Sequence, residues 1–265
     1  MSWGADAQPA RGRSTWARVR QQVSPLGSRL SPLRYFSDWR VEQYYRRTLR
    51  DRAVADTWAR HYLSGLDLDA RAPVLDHGCG RGRNTALLAQ LGFEVAAQDV
   101  VAHPWWQAVR ECQFQQVPAS APRLPWTNES FGLVLDVQVI HDLEDRRLAD
   151  LVDEVGRVLV PGGYWVLLEA NAAGYGAWMP RRYWGRLHTL DRVRELTAQA
   201  GFRECDCRYE GVYAPVLPSA INFLRKQAWP GTFSVDDFGS PLETMIPDDR
   251  RAFWVLRLRK DGRGE

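Results

Sequence analysis

The stretch VLDHGCGRGRN, Val74 to Asn84, sets Gly78, Gly80 and Gly82 at alternate positions among an aspartate, a histidine and a cysteine. Glycines in such a run permit a tight turn and let the backbone approach a ligand closely. A helix opening after the run adds free N–H groups and a positive dipole end, which suit an anionic group. Asp99 follows 21 residues after Gly78. A carboxylate at the end of the next strand can accept hydrogen bonds from two ribose hydroxyls. Together these point to a nucleoside with a small anionic tail. The dinucleotide fingerprint asks for glycine at position 83, where this chain has Arg83, and the P-loop lysine pattern is absent. Asp76, two residues before Gly78, suits a cationic group such as an α-ammonium.

His77 and Cys79 are separated by one residue, and no partner pair at zinc spacing accompanies them, so no metal is expected. Cys79 reads as a small buried thiol. The four cysteines, Cys79, Cys112, Cys205 and Cys207, form no CxxC pair and no disulfide framework. Reduced thiols in a cytoplasmic protein are the expectation.

Strands and helices must position these residues, and they alternate. Helical spacing runs from Ser37 to Tyr62, with Ser37 as a cap. PVLD (73–76) reads as a strand, NTALLAQLG (84–92) as a helix ended by Gly92, and FEVAAQD (93–99) as a strand. FGLVLDVQVI (131–140) contains another strand. Leu148, Leu151, Val152, Val155, Val158 and Leu159 form one face of a helix, which PGG (161–163) stops. YWVLLEA (164–170) is a strand, TLDRVRELTAQAGF (189–202) a capped helix, and RECDCRY (203–209) and FWVLRLR (253–259) the last strands. Such alternation predicts an α/β fold with a mostly parallel sheet and helices on both faces. Ligands then sit at the carboxyl ends of the strands, near the switch point.

With VLDHGCGRGRN, the segments LPW (124–126), SFGLVLDVQVIHDL (130–143), RVLVPGGYWVLLE (157–169) and AGF (200–202) fall in a characteristic order. In this order the chain resembles class I S-adenosylmethionine-dependent methyltransferases. The likeness is to the broad type 11 group, which includes quinone-biosynthesis C-methyltransferases. GCGRGRNTALLAQLGFEVAAQD also resembles the tellurite-resistance-type enzymes. The resemblance spans residues 73–170 well and 189–209 loosely. It implies a Rossmann-like, doubly wound, seven-stranded sheet whose last strand, 253–259, is inserted antiparallel.

The resemblance further implies S-adenosyl-L-methionine as cofactor. Asp76, Gly78, Cys79 and Gly80 would line its methionine end, Asp99 its ribose and Val100 its adenine, with Gln138 near the sulfonium. The family often has an acid five residues before the Pro of LPW, where this chain has Ser120. Its usual Asp after Phe131 is replaced by Gly132, which reads as a surface detail. Methyl transfer from a sulfonium is an in-line displacement, so positioning supplies most of the acceleration and a base suffices beside it. Asp136 with His141, Asp142 and Glu169 occupy the expected loops. No NPPY follows the fourth strand, so the amino-group chemistry linked to that motif is not supported.

The rest of the chain bounds the partner. Hydrophobic content is 45% and charged content 25%, ordinary for a globular protein. No apolar run is long enough to span a bilayer. Residues 1–34 hold six arginines and one acid, leaving −2 for the remainder of a chain whose net charge is +3. The first 34 residues read as a flexible basic arm. A transit peptide or an anionic-surface contact is the alternative for it. The near-neutral body is not a basic nucleic-acid binder by composition, which argues against a nucleic-acid partner. Residues 35–265 read as the methyltransferase domain, with core 73–170 and lid or substrate segments 35–63, 171–188 and 210–252. Tyr175, Trp178, Tyr183, Trp184, Tyr213 and Trp229 supply aromatic surface in those segments for a flat or apolar acceptor. The expected partner is a small-molecule methyl acceptor. An RNA or protein methyltransferase, and a cofactor binder without catalysis, are the alternative readings. Oligomeric state is not read from the sequence.

Overall fold

The computed structural model describes residues 52–69, 71–109, 112–121, 123–173, 187–210, 247–251 and 253–262. All lie in the compact unit Tyr45–Glu265. The helical spacing expected before residue 52 and most of the aromatic segments within 171–188 and 210–252 lie outside the described residues.

Helix α1 (Arg52–Tyr62) leads into strand β1 (Val74–His77), helix α2 (Arg83–Leu91) and strand β2 (Val95–Asp99). Strands β3 (Gln113–Gln116) and β4 (Phe131–Val137) follow, then helix α3 (Asp145–Val158) and strand β5 (Leu159–Ala170). Helix α4 (Leu190–Gln199) and strands β6 (Phe202–Glu210) and β7 (Phe253–Lys260) complete the described chain. The seven strands form one sheet in the order β3-β2-β1-β4-β5-β7-β6. The first five pair in parallel, and β7 is antiparallel to both neighbours. The chain leaves β1 toward β2 on one side and finds β4 on the other, so the switch point lies between β1 and β4.

Alternation along β1 assigns the faces. Leu75 packs with Leu148, Val152 and Val155 of α3 and with Val193 of α4. Asp76 points the other way and meets Thr85 of α2. Consecutive residues at the end of β1, Asp76 and His77, therefore serve opposite faces of the sheet. Helix α4 starts where Thr189 accepts a hydrogen bond from the Arg192 amide, as a capping threonine should.

Three local features differ from the pattern reading. Strand β3 is polar, with no apolar alternation to mark it; it forms by pairing with β2 at the sheet edge, where little is buried. The PGG stretch is not a stop between helix and strand: α3 ends at Val158, and β5 begins at Leu159 and runs through it. Gly132 is no surface detail. It is buried, its N–H donates to the Pro73 carbonyl, and a Cβ there would meet the Ala72 Cβ at 2.5 Å.

Candidate functional site

The carboxyl ends of β1, β2 and β4 and the loop after β3 enclose a cleft of about 410 Å³, closed on its far side by α3. That volume suits a small organic ligand. The glycine run forms its rim. Gly78 has φ +65°, and a Cβ there would meet Val139 Cγ2 at 2.5 Å, so no other residue fits without displacing the turn after β4. Gly82 has φ +82°, opens α2, and lies against Phe114 of β3. Trp106 stacks on Phe114 with centroids 5.0 Å apart and donates its indole N–H to the Gly80 carbonyl at 2.8 Å. The tryptophan thus braces the loop from outside the cleft.

Asp99 ends β2 at the cleft wall and is partly exposed. One carboxylate oxygen accepts from the Gly80 amide at 2.7 Å, the other from the Val101 amide at 3.0 Å. The carboxylate is held rigidly, and it retains further lone pairs for hydroxyl donors. Val100 beside it is 52% exposed, the most exposed large apolar residue among those described. An apolar side chain on the rim of a cleft offers a platform for a flat ring. Gln138 also lines the cleft and has φ +58°, an uncommon backbone for a residue with a side chain. Its amide donates to the Leu168 carbonyl at 2.8 Å, which fixes the turn.

Asp76 and Cys79 lie behind the loop rather than in its opening. Asp76 is 1% exposed and accepts the Thr85 hydroxyl at 2.6 Å. Burial raises its pKa to about 7, although the Thr85 hydrogen bonds work against the rise. Cys79 is buried, and its thiol is pushed far up by burial, so it is no nucleophile. Among the described residues no cluster of three or more His, Cys, Asp or Glu could hold a metal.

Two histidine–carboxylate pairs stand at adjacent strand ends. His141 Nδ1 lies 3.1 Å from Glu169 Oε2, and the other oxygen of Glu169 accepts from the Ile140 amide at 2.8 Å. His77 Nδ1 lies 2.6 Å from Asp136 Oδ1, and Asp136 Oδ2 accepts from the Trp165 indole at 2.7 Å. Asp136 is fully enclosed, with both oxygens occupied, so it presents no surface to a ligand. His77, by contrast, lines the cleft. From sequence His77 stood out only as a potential metal ligand beside Cys79, not as a residue of the cleft. The available signal was its position at a strand end facing Asp136 across the parallel register.

The loop after β3 is anchored by Arg147 of α3, which donates to the carbonyls of Ala119 and Ala121. Ser120 itself is exposed, and the cleft wall here is Val117, Ala121 and Leu124 instead. The LPW motif is latched by Arg157, which donates to the Leu124 and Trp126 carbonyls at 3.0 and 2.8 Å. A second cleft, about 450 Å³, lies at the amino end of β5 beside Arg203, Arg259 and Lys260. Arg259 and Lys260 donate there to the carbonyls of Gly162 and Leu159, at the end of the sheet opposite the glycine loop. No described helix is long and apolar enough to cross a membrane.

Residues 75–167 match the methyltransferase-domain family. An uncharacterized methyltransferase from Synechocystis sp. is 32% identical over 110 residues, covering 41% of this chain and 52% of that protein. The chain thus spans about half the length of this curated relative. Among solved structures, the 1,6-didemethyltoxoflavin-N1-methyltransferase of Burkholderia thailandensis superposes with TM-score 0.52 at 20% identity, covering 97% of this chain and 93% of that one. A methyltransferase from Archaeoglobus fulgidus gives 0.54 at 14% identity, covering 84% and 99%. The [4+2]-cyclase SpnF gives 0.53 at 17% identity, covering 80% and 81%. The sheet order is that of the Rossmann-like fold, which the chain shares with these solved structures, and residues 75–167 are similar to the methyltransferase-domain family.

Proposed function

We propose that this protein is an S-adenosylmethionine-dependent methyltransferase acting on a small organic molecule. The observation that carries the reading is the rigid Asp99 carboxylate beside exposed Val100, facing the cleft at the switch point. A nucleoside needs such a pair: acceptors for the ribose hydroxyls and an apolar surface for the base. Gly78 and Gly80 would let the methionine end approach the backbone, and the buried negative charge of Asp76 would favour its ammonium. Gln138 would stand near the sulfur. When bound, the cofactor supplies a methyl group already activated on a sulfonium.

This chain's own residues then need to bind, orient and accept a proton. His141, held by Glu169, is the proposed proton acceptor for the methyl-accepting atom. Asp136 acts as a positioning residue behind His77. A small-molecule acceptor agrees with the cleft's size. It agrees too with the Burkholderia structure, which holds 1,6-didemethyltoxoflavin and S-adenosylhomocysteine.

Isothermal titration with S-adenosylmethionine tests the cofactor assignment, and absence of binding at millimolar ligand sinks it. A screen of small acceptors with labelled methyl donor then separates an enzyme from a silent binder. Cofactor binding without methyl transfer would leave room for another reaction, since SpnF, which shares the fold, is named as a cyclase. Full activity of His141→Ala would remove His141 as the proton acceptor.

A further inference from the structure

The last residue of β1 places an imidazole beside the switch point. Asp136 takes its Nδ1 at 2.6 Å, and Trp165 holds Asp136 in turn at 2.7 Å. A carboxylate so held fixes the ring and the tautomer, with the proton on Nδ1. Nε2 makes no hydrogen bond with any described residue and is not among the enclosed polar atoms. The side chain is 14% exposed and opens on the cleft.

The charges facing this imidazole come from three strands: Asp136 on β4, Asp76 on its own strand and Asp99 on β2. Across the cleft, Arg123 belongs to the loop after β3, and Arg147, Asp150 and Glu154 belong to α3. Arg147 is tied to the Ala119 and Ala121 carbonyls, and Arg123 pairs loosely with Glu154 at 3.9 Å. Three carboxylates therefore make the β1 end favourable to a cation, and protonation of His77, like that of Asp76, weakens that preference.

We propose that His77 reads the charge on the bound ligand's sulfur: its neutral ring admits a cationic sulfonium and its imidazolium form disfavours it, so the residue discriminates the methyl donor from its uncharged thioether product. The proposal rests on the cofactor reading above. Burial opposes the charged ring, but the carboxylates of Asp136, Asp76 and Asp99 outweigh it and raise the His77 pKa above the ordinary value.

The test compares S-adenosylmethionine with S-adenosylhomocysteine by isothermal titration between about pH 6 and about pH 9. In the unmodified protein the donor-to-product affinity ratio falls at least about threefold as pH is lowered. In His77→Gln, which retains an amide to meet Asp136, less than half of that change in the logarithm of the ratio remains. Titration of Asp76 and of the ligands' own ammonium groups is common to both proteins, so the difference belongs to His77. A ratio that keeps half or more of its pH dependence in His77→Gln overturns the proposal. A second measurement needs no variant. Nuclear magnetic resonance titration of the His77 ring should give a lower midpoint with the sulfonium ligand bound than with the thioether, by the same factor. Equal midpoints overturn the proposal. Binding of both ligands with a ratio indifferent to pH removes the His77 role alone, whereas absence of binding at any pH removes the cofactor reading with it.

Discussion

At the carboxyl ends of β1, β4 and β5, the carboxylates of Asp76, Asp136 and Glu169 are 1%, 0% and 2% exposed. Their partners are a hydroxyl, an indole, a backbone amide and two histidines. Along β6 and β7 the carboxylates of Asp206 and Glu204 are partly exposed and meet guanidinium groups, Arg257 at 2.8 Å and Arg194 at 2.8 Å. The difference is in what the partner can do. A guanidinium is permanently charged and neutralises its carboxylate for good. A hydroxyl or an imidazole leaves the negative charge uncompensated or dependent on pH. The β6–β7 side of the sheet carries settled charge, and the switch point carries buried charge that its partners do not permanently neutralise.

Four substitutions would break or sharpen that contrast, from the largest effect to the smallest. Gly78→Ala forces a Cβ to within 2.5 Å of Val139 at a positive φ. We expect a loss of about 2–4 kcal/mol of stability, seen in denaturant melts, together with at least tenfold weaker S-adenosylmethionine binding. A stable variant with unchanged affinity would show that the loop does not set the approach.

Asp99→Ala should weaken cofactor binding by about 1–3 kcal/mol through lost ribose hydrogen bonds. Isothermal titration checks this, and unchanged affinity in a folded variant contradicts the assignment.

Asp76→Asn should act in opposite directions on stability and binding. The folded-state pKa of Asp76 is about 7 against an ordinary 3.8. A raised carboxyl pKa contributes stability that is complete below the unfolded value and is lost as pH rises through the folded one. The native protein therefore carries a penalty above about pH 7 that the asparagine variant lacks. We expect the variant to be more stable at pH 8 by about 1–3 kcal/mol, with the gap closing toward pH 4, while cofactor affinity falls. Equal stability at pH 8 would mean that the buried charge is not held in reserve.

Asp206→Asn at the sheet edge should cost about 1 kcal/mol or less, because its partly exposed ion pair is screened. Arg257 lowers the Asp206 pKa, so the pair's contribution is present above the unfolded value near 4 and fades as pH falls further. Cofactor affinity should not move; a change there would erase the distinction between the two regions.

Much of this site is readable along the chain because its members are local. Gly78, Gly80 and Asp99 occupy consecutive strand ends, and periodicity alone locates those ends. Asp136 is legible as a candidate because it is the carboxylate within the apolar run FGLVLDVQVI. Its partners, His77 and Trp165, are 59 and 29 residues away in sequence, and no pattern announces either. Strand β3 escaped detection for a related reason. Its residues Gln113–Gln116 bury little, and they become a strand only by pairing with β2.

The amino-acid sequence by itself determined the alternation of elements, the glycine turn and the carboxylate that ends β2. Each follows from local sterics and from the spacing of apolar residues. Only the tertiary structure decided that His77 lines the cleft, which carboxylates are sealed behind it, and that Trp106 braces the loop from outside. Those outcomes depend on strand register and on which face of a strand a side chain serves, and a shift of a single residue would reverse them.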